Sequence, residues 1–267
     1  MRRLDWADYR APEFADIDPS RTIAILPTAA IEQHGPHLPV GVDTMIAEGL
    51  LARLRRDCPE DLDIRILPVQ AVGKSNEHLW AAGTLTLSAE VALRAWVEIG
   101  LSVARAGVRK IVIVNSHGGN LDLISIVSRE LRVQAGMLAV KCQWGSFGMP
   151  EGIFSAREMQ FGIHGGDAET SLMLAFRPET VDMGCAQDFR SKAEGAPVPP
   201  TGAVSLGWVS SDLNTAGVVG DAHLGTAEKG EAVAAHMVAG FVGLLRQVRD
   251  LGIEGYAPMT GPAVRIG

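Results

Sequence analysis

The chain has 267 residues, 47% hydrophobic and 21% charged, a mix that supports a sizeable core and excludes general disorder. Its formal charge is −7, from 31 acidic against 24 basic residues, and no basic block stands out. Nucleic acid and anionic membrane surfaces are therefore excluded as partners on bulk charge.

The N-terminus, Met1-Arg2-Arg3-Leu4-Asp5-Trp6, opens basic with no apolar stretch behind it, so no secretory signal is expected. No run approaches the roughly 18 apolar residues of a spanning helix. Three scattered cysteines, Cys58, Cys142 and Cys185, suggest neither a disulfide framework nor a Cys-rich zinc site. A reducing cytoplasm is the compartment they fit.

Thr22 to Pro27 (TIAILP) is a short apolar run, predicted as a buried strand. A loop rich in Gly, Pro and His follows. Asp43 to about Cys58 places Ile46, Leu50, Leu51 and Leu54 at helical spacing. Ile64 to Val69 is a second strand, and Pro68 near its end predicts an edge position or an early stop. Leu87 to Ala106 reads as a long helix with Ser88 as N-cap and Glu90 in the first turn. Lys110 to Val114 (KIVIV) is the clearest strand. Leu121 to Ala135 reads as a helix, Met137 to Val140 as a strand and Thr170 to Phe176 as a helix. Thr226 to about Leu251 is a long final helix. Residues 145–163 and 189–224 carry no period. Loops of that length in a compact domain are usually functional. The strand–helix alternation predicts an α/β fold with a mostly parallel sheet covered on both faces. With no linker or repeat, residues 1–267 read as one domain.

Three segments carry chemistry. The first, EQHGPHLPVGVD over residues 32–43, directly follows a predicted strand. Glu32 and His34 are two apart, so in extended backbone they share a side, and a carboxylate beside an imidazole suits Zn or Mn. Asp43 stands at the start of a helix, where a plain N-cap is the simpler use of such a residue. The second segment is NSHGGN over residues 115–120, with His117 at the carboxyl end of a strand. The alternative there is a glycine turn that cradles phosphate. The third is His164-Gly165-Gly166-Asp167-Ala168-Glu169. Asp167 is set aside, because an acid in a first helical turn is explained by the dipole alone.

Together these segments resemble the creatininase (creatinine amidohydrolase) family. Gly73-Lys74-Ser75-Asn76-Glu77-His78, Gly83-Thr84 and Gly217 to Gly230 resemble further family segments. The resemblance implies a single three-layer α/β/α domain, a homohexamer and two divalent metal ions per chain, Zn and/or Mn. It implies one metal on Glu32, Asp43 and His117 and another on His34, Asp43 and Glu169, with Asp43 bridging. His164 would bind substrate or transfer a proton. Ser75, His78 and Trp144 are the expected substrate contacts. For Ser75 a turn-stabilising hydroxyl is the competing reading, and for His78 a hydrogen bond to a ligand.

The implied function is a metal-dependent amidohydrolase that cleaves a cyclic or linear amide-type C–N bond of a small molecule through a metal-activated hydroxide. Two departures weigh against creatinine. Creatininase has Glu where Gly119 stands and Trp where Gln160 stands. The alternatives are a formamide deformylase, a peptidase or a keto-inositol hydrolase on the same metals. Outside enzymes, the alternative is a metal- or ligand-binding α/β protein. Trp80, Trp96 and Trp208 read as core or interface anchors, with a reach into a neighbouring subunit's site as the alternative for Trp208 in its irregular segment. Cys142 is a poor candidate nucleophile, since no His–Asn partners are visible.

Overall fold

A computed structural model describes residues 2–259. In chain order, the elements are β1 (Ile23–Thr28), α1 (Val42–Asp57), β2 (Ile64–Ile66), α2 (Ala89–Arg105), β3 (Lys110–Asn115) and α3 (Leu121–Ala135). These are followed by β4 (Leu138–Gln143), α4 (Ala156–Phe161), α5 (Asp167–Phe176), β5 (Asp188–Phe189), α6 (Ser210–Leu213), β6 (Gly220–Asp221) and α7 (Ala227–Asp250).

β1 to β4 form one parallel sheet in the order β2-β1-β3-β4. β1 and β3 are buried along their whole length, as strands covered on both faces must be. Their alternate residues feed two separate cores. Ile23, Ile25, Val112 and Val114 point to α1, α5 and α7, where Leu50, Leu54, Met173, Phe241 and Leu245 meet them. Ala24, Leu26, Ile111 and Ile113 point the other way, to Trp96, Val103, Ile124 and Leu131 of α2 and α3. The period-2 alternation of the strands thus makes the three layers.

The expected edge position of the second strand holds: β2 is outermost and stops at Ile66, before Pro68. Ser88 caps α2 by accepting from the Val91 amide at 3.3 Å. Two bounds differ from expectation. β4 runs on to Gln143, because β3 offers it a full partner register from Lys110–Leu138 to Asn115–Gln143. α5 starts at Asp167, three residues early, right after Gly166. The aperiodic stretch 145–163 also contains α4, whose N-cap Ser155 accepts from the Glu158 amide at 3.0 Å. Residues 190–209 form no helix or strand.

Candidate metal centre

The loops that leave the carboxyl ends of β1, β2 and β3 converge, as ligand-binding loops do in open α/β sheets. Glu32 and His34 follow β1, and His117 follows β3. Asp43 stands in the first turn of α1, while Glu169 stands in the first turn of α5. Asp43 is not a cap: Gly41 holds the N-cap position, and the Asp43 carboxylate is turned inward.

Four of the five groups line a cavity of about 490 Å³, and His34 is buried against Asp43 and Glu169 behind them. His34 Nε2 lies 3.9 Å from Asp43 Oδ1 and 3.7 Å from Glu169 Oε2. His117 Nδ1 lies 3.3 Å from Glu32 Oε1 and 3.3 Å from Asp43 Oδ2. Each imidazole is oriented from behind by a backbone carbonyl. His34 Nδ1 donates to the Glu32 carbonyl at 3.0 Å, and His117 Nε2 donates to the Lys74 carbonyl at 2.9 Å. The remaining nitrogen of each ring is left as a lone pair facing carboxylates. Two negative features facing each other in a buried site demand positive charge between them.

Three further facts express that demand. Glu32 Oε2, His34 Nε2 and Asp43 Oδ2 are buried without any hydrogen-bond partner among the described residues. Asp43 is pushed well above the carboxylate range by burial and by the charge of Glu32. Burial works to lower His117, but the charge of Glu32 and the close carboxylates of Asp43 and Glu77 hold it well above an ordinary imidazole. A proton on His117 and a metal cation answer the same need. Ligand atoms within 4.8 Å of one another fall into three groups, Glu32–His34–His164, Glu32–Glu77–His117 and His34–Asp43–Glu169, and such mixed carboxylate–imidazole sets fit Zn or Mn.

His164 joins the floor. Its Nε2 donates to the Gln33 carbonyl at 2.8 Å, which leaves Nδ1 3.5 Å from Glu32 Oε1. Burial, then the neighbouring His34, push it down to about 4. Burial likewise pushes His34 and His78 down to about 4. His78 lines the cavity with Nε2 3.4 Å from Glu32 Oε1, and its Nδ1 accepts from the Gln33 amide at 2.8 Å.

Gly165, at φ +67°, turns the chain so that its amide donates to Glu169 Oε2 at 2.6 Å. Asp167 is indeed spoken for: Lys229 Nζ donates to it at 2.5 Å and Ser171 at 3.0 Å. His37 holds the first loop to the third, with Nε2 3.1 Å from both the Gly165 carbonyl and Thr170 Oγ1.

Two expected substrate contacts lie elsewhere. Trp144 is not in the cavity wall. It is buried against Phe241, with ring centroids 4.8 Å apart, because an indole at the end of β4 meets the apolar stripe of α7. Ser75 is fully buried with Oγ 3.4 Å from His117 Nε2, on the side of the ring away from Glu32 and Asp43. Trp208 has a place in the site of its own chain. It lines the cavity together with Pro200 and Leu206, held by a 2.8 Å bond from its Nε1 to the Pro200 carbonyl.

Glu77 stands in a family-like segment but was given no role from the sequence. Its carboxylate enters the cavity 3.5 Å from His117 Nε2. The clue was the acid at position 77, one residue before His78 in a glycine-led loop. A carboxylate close to Gly119 carries the wrong charge to share that turn with a phosphate, which weighs against the phosphate-cradle alternative for residues 117–120. Burial pushes the Cys142 thiol up to about 12, which rules out a thiolate nucleophile there.

Comparisons with known proteins agree with this fold. A family model described as Creatininase: Creatinine amidohydrolase matches residues 7–245. A mycofactocin precursor peptide peptidase of Mycobacterium tuberculosis is 33% identical over 227 residues, 80% of each chain. A creatinine amidohydrolase of Pseudomonas putida is 27% identical over 264 residues, covering 91% of this chain and 95% of its own. Among solved structures, a creatininase mutant superposes with a TM-score of 0.74 at 23% identity, over 94% of this chain and 100% of the other. Similar creatininase structures are described as an Mn form and a Zn-Zn type, at TM-scores of 0.69 and 0.71.

Proposed function

The chain belongs to the creatininase family, whose hydrolases act on amide-type C–N bonds, and on that premise we propose that it is a dinuclear metal-dependent amidohydrolase. The observation that carries this reading is the convergence of Glu32, His34, Asp43, His117 and Glu169 with their buried, unpartnered atoms. Glu32, Asp43 and His117 would hold one cation, and His34, Asp43 and Glu169 the other. Zn and Mn are the metals proposed. When bound, such ions polarise a scissile carbonyl and lower the pKa of water towards neutrality.

The protein's own groups supply the rest. Three carboxylates set the charge of the floor and, with the two imidazoles, its geometry. His164 is neutral at pH 7, and its tautomer is fixed by the Gln33 carbonyl. Its Nδ1 therefore accepts a proton from the attacking water and returns it to the leaving nitrogen, while Glu32 steadies the imidazolium formed between these steps. His78 keeps Glu32 in place. Pro200, Leu206 and Trp208 form an apolar wall that limits access of bulk water to the floor.

A second reading sharpens the substrate. The similarity to peptide peptidases, and an apolar wall beside a cavity of about 490 Å³, favour a short peptide over a small cyclic amide. We take the substrate to be a small soluble amide or peptide, handled in the cytoplasm by a homo-oligomer.

The test is metal analysis followed by hydrolysis assays of the loaded protein on lactams, formamides and short peptides. Two ions per chain and turnover of at least one class are expected. Glu169→Gln should reduce metal content and turnover together. Full occupancy with full turnover in that variant refutes the ligand assignment.

A further inference from the structure

Glu77 stands on the single turn Asn76–His78, outside the residues assigned above to cations. Its side chain is 11% exposed. Oε1 lies 3.5 Å from His117 Nε2, and Oε2 accepts from Lys74 Nζ at 2.9 Å. The outer nitrogen of His117 is thus ringed by one short loop: the Lys74 carbonyl at 2.9 Å, the Ser75 hydroxyl at 3.4 Å and the Glu77 carboxylate. The inner nitrogen, Nδ1, faces Glu32 and Asp43.

Gly119 supplies an independent observation. A Cβ there would sit 2.2 Å from Glu77 Oε1, 2.4 Å from His117 Nε2 and 2.5 Å from the Lys74 carbonyl oxygen. No side chain fits those distances. The glycine leaves room for a carboxylate that arrives from a different loop, after β2 rather than after β3. At that place Lys74 Nζ donates to it from one side and the His117 ring stands 3.5 Å away on the other.

We propose that Glu77 is a positioning residue of the metal centre: beside the Lys74 carbonyl, which receives the Nε2–H of His117, its charge holds the ring so that Nδ1 stays free for the cation. This inference rests on the reading that the floor binds metal. A carboxylate behind a ligating imidazole fixes its tautomer and orientation and raises its basicity, and loss of such a partner typically weakens metal affinity 10- to 100-fold. The Lys74 ammonium balances part of the charge, so Glu77 can sit near Glu32 without driving either carboxylate to protonate.

The experiment is zinc titration of the full chain against a competing chelator, for the parent and for Glu77→Gln. One of two zinc sites should weaken about 10- to 100-fold, with the other unmoved. Asp122→Asn removes an equal charge from the same cavity without touching His117, and its zinc affinities should stay within about twofold of the parent. Should Glu77→Gln fail to fold, Glu77→Asp keeps the charge but shortens its reach, and should show a smaller loss at the same site. Equal zinc affinities in Glu77→Gln and the parent overturn the inference alone. So does an Asp122→Asn loss as large as that of Glu77→Gln. A parent that binds no zinc overturns the metal reading and this inference with it.

Discussion

The floor and the wall of the cavity are built on opposite principles. The floor hangs on the ends of β1 and β3 and on the first turns of α1 and α5, and its side chains are almost all buried. Every imidazole there is braced by a backbone carbonyl or by the Gln33 amide. The wall, residues 200–208, has no regular structure, and two of its bonds close on itself, from Leu206 N and Trp208 Nε1 to the carbonyls of Pro199 and Pro200. Val204 is 74% exposed. Reactive groups need rotamers held by packing, which rigid elements supply, whereas a loop can change its outline without disturbing them. On the proposed function, this contrast puts chemistry at the floor and substrate choice at the wall.

The hardest strike against that division is at the floor. His164→Gln should lower kcat by about 10²- to 10⁴-fold, the usual worth of a positioned acid–base group. Zinc content should remain that of the parent. Loss of metal in this variant would move His164 from proton transfer to ligation.

Acid should expose the floor next. Burial pushes His34, His78 and His164 each down to about 4, below the ordinary 6.5. As pH falls, the unfolded chain takes up protons at these positions first. Their contribution to stability is therefore full above about pH 6.5 and declines as pH falls towards 4. His117, held high, acts in the opposite sense, one ring against three. The melting temperature of chelator-treated protein should fall steadily from pH 7 to 4.5. A flat profile would show that these rings are not buried as neutral groups.

The smallest effect belongs to the wall. Trp208→Ala should raise KM about tenfold, near 1.4 kcal/mol, for substrates with an apolar side group and leave kcat within about twofold. An equal change for polar and apolar substrates, or a fall in kcat alone, would deny the wall its part in selection.

Much of the floor was legible because its residues sit beside strong local signals. Glu32 and His34 follow TIAILP, and His117 follows KIVIV; an apolar run that ends in a polar, glycine-bearing loop marks the edge of a sheet where ligands gather. Trp144 was misplaced because an aromatic residue after a strand suits a pocket or a core equally well, and only the Phe241 stripe of α7 decides. Glu77 was quoted in its motif yet given no task, since nothing local ties residue 77 to residue 117. Their approach follows from the order β2-β1-β3, which gathers the exits of strands far apart in sequence.

The amino-acid sequence by itself determined the alternation of strands and helices, the two-sided burial of the central strands and the identity of the acids and imidazoles at their exits. These follow from periodicity and residue chemistry, which act over a few neighbours. Only the tertiary structure decided which nitrogen of each ring faces the carboxylates, that Gly119 yields its space to Glu77, and that Trp208 rather than Trp144 borders the cavity. Such facts depend on distances between segments tens of residues apart, and those distances are set by how the layers pack.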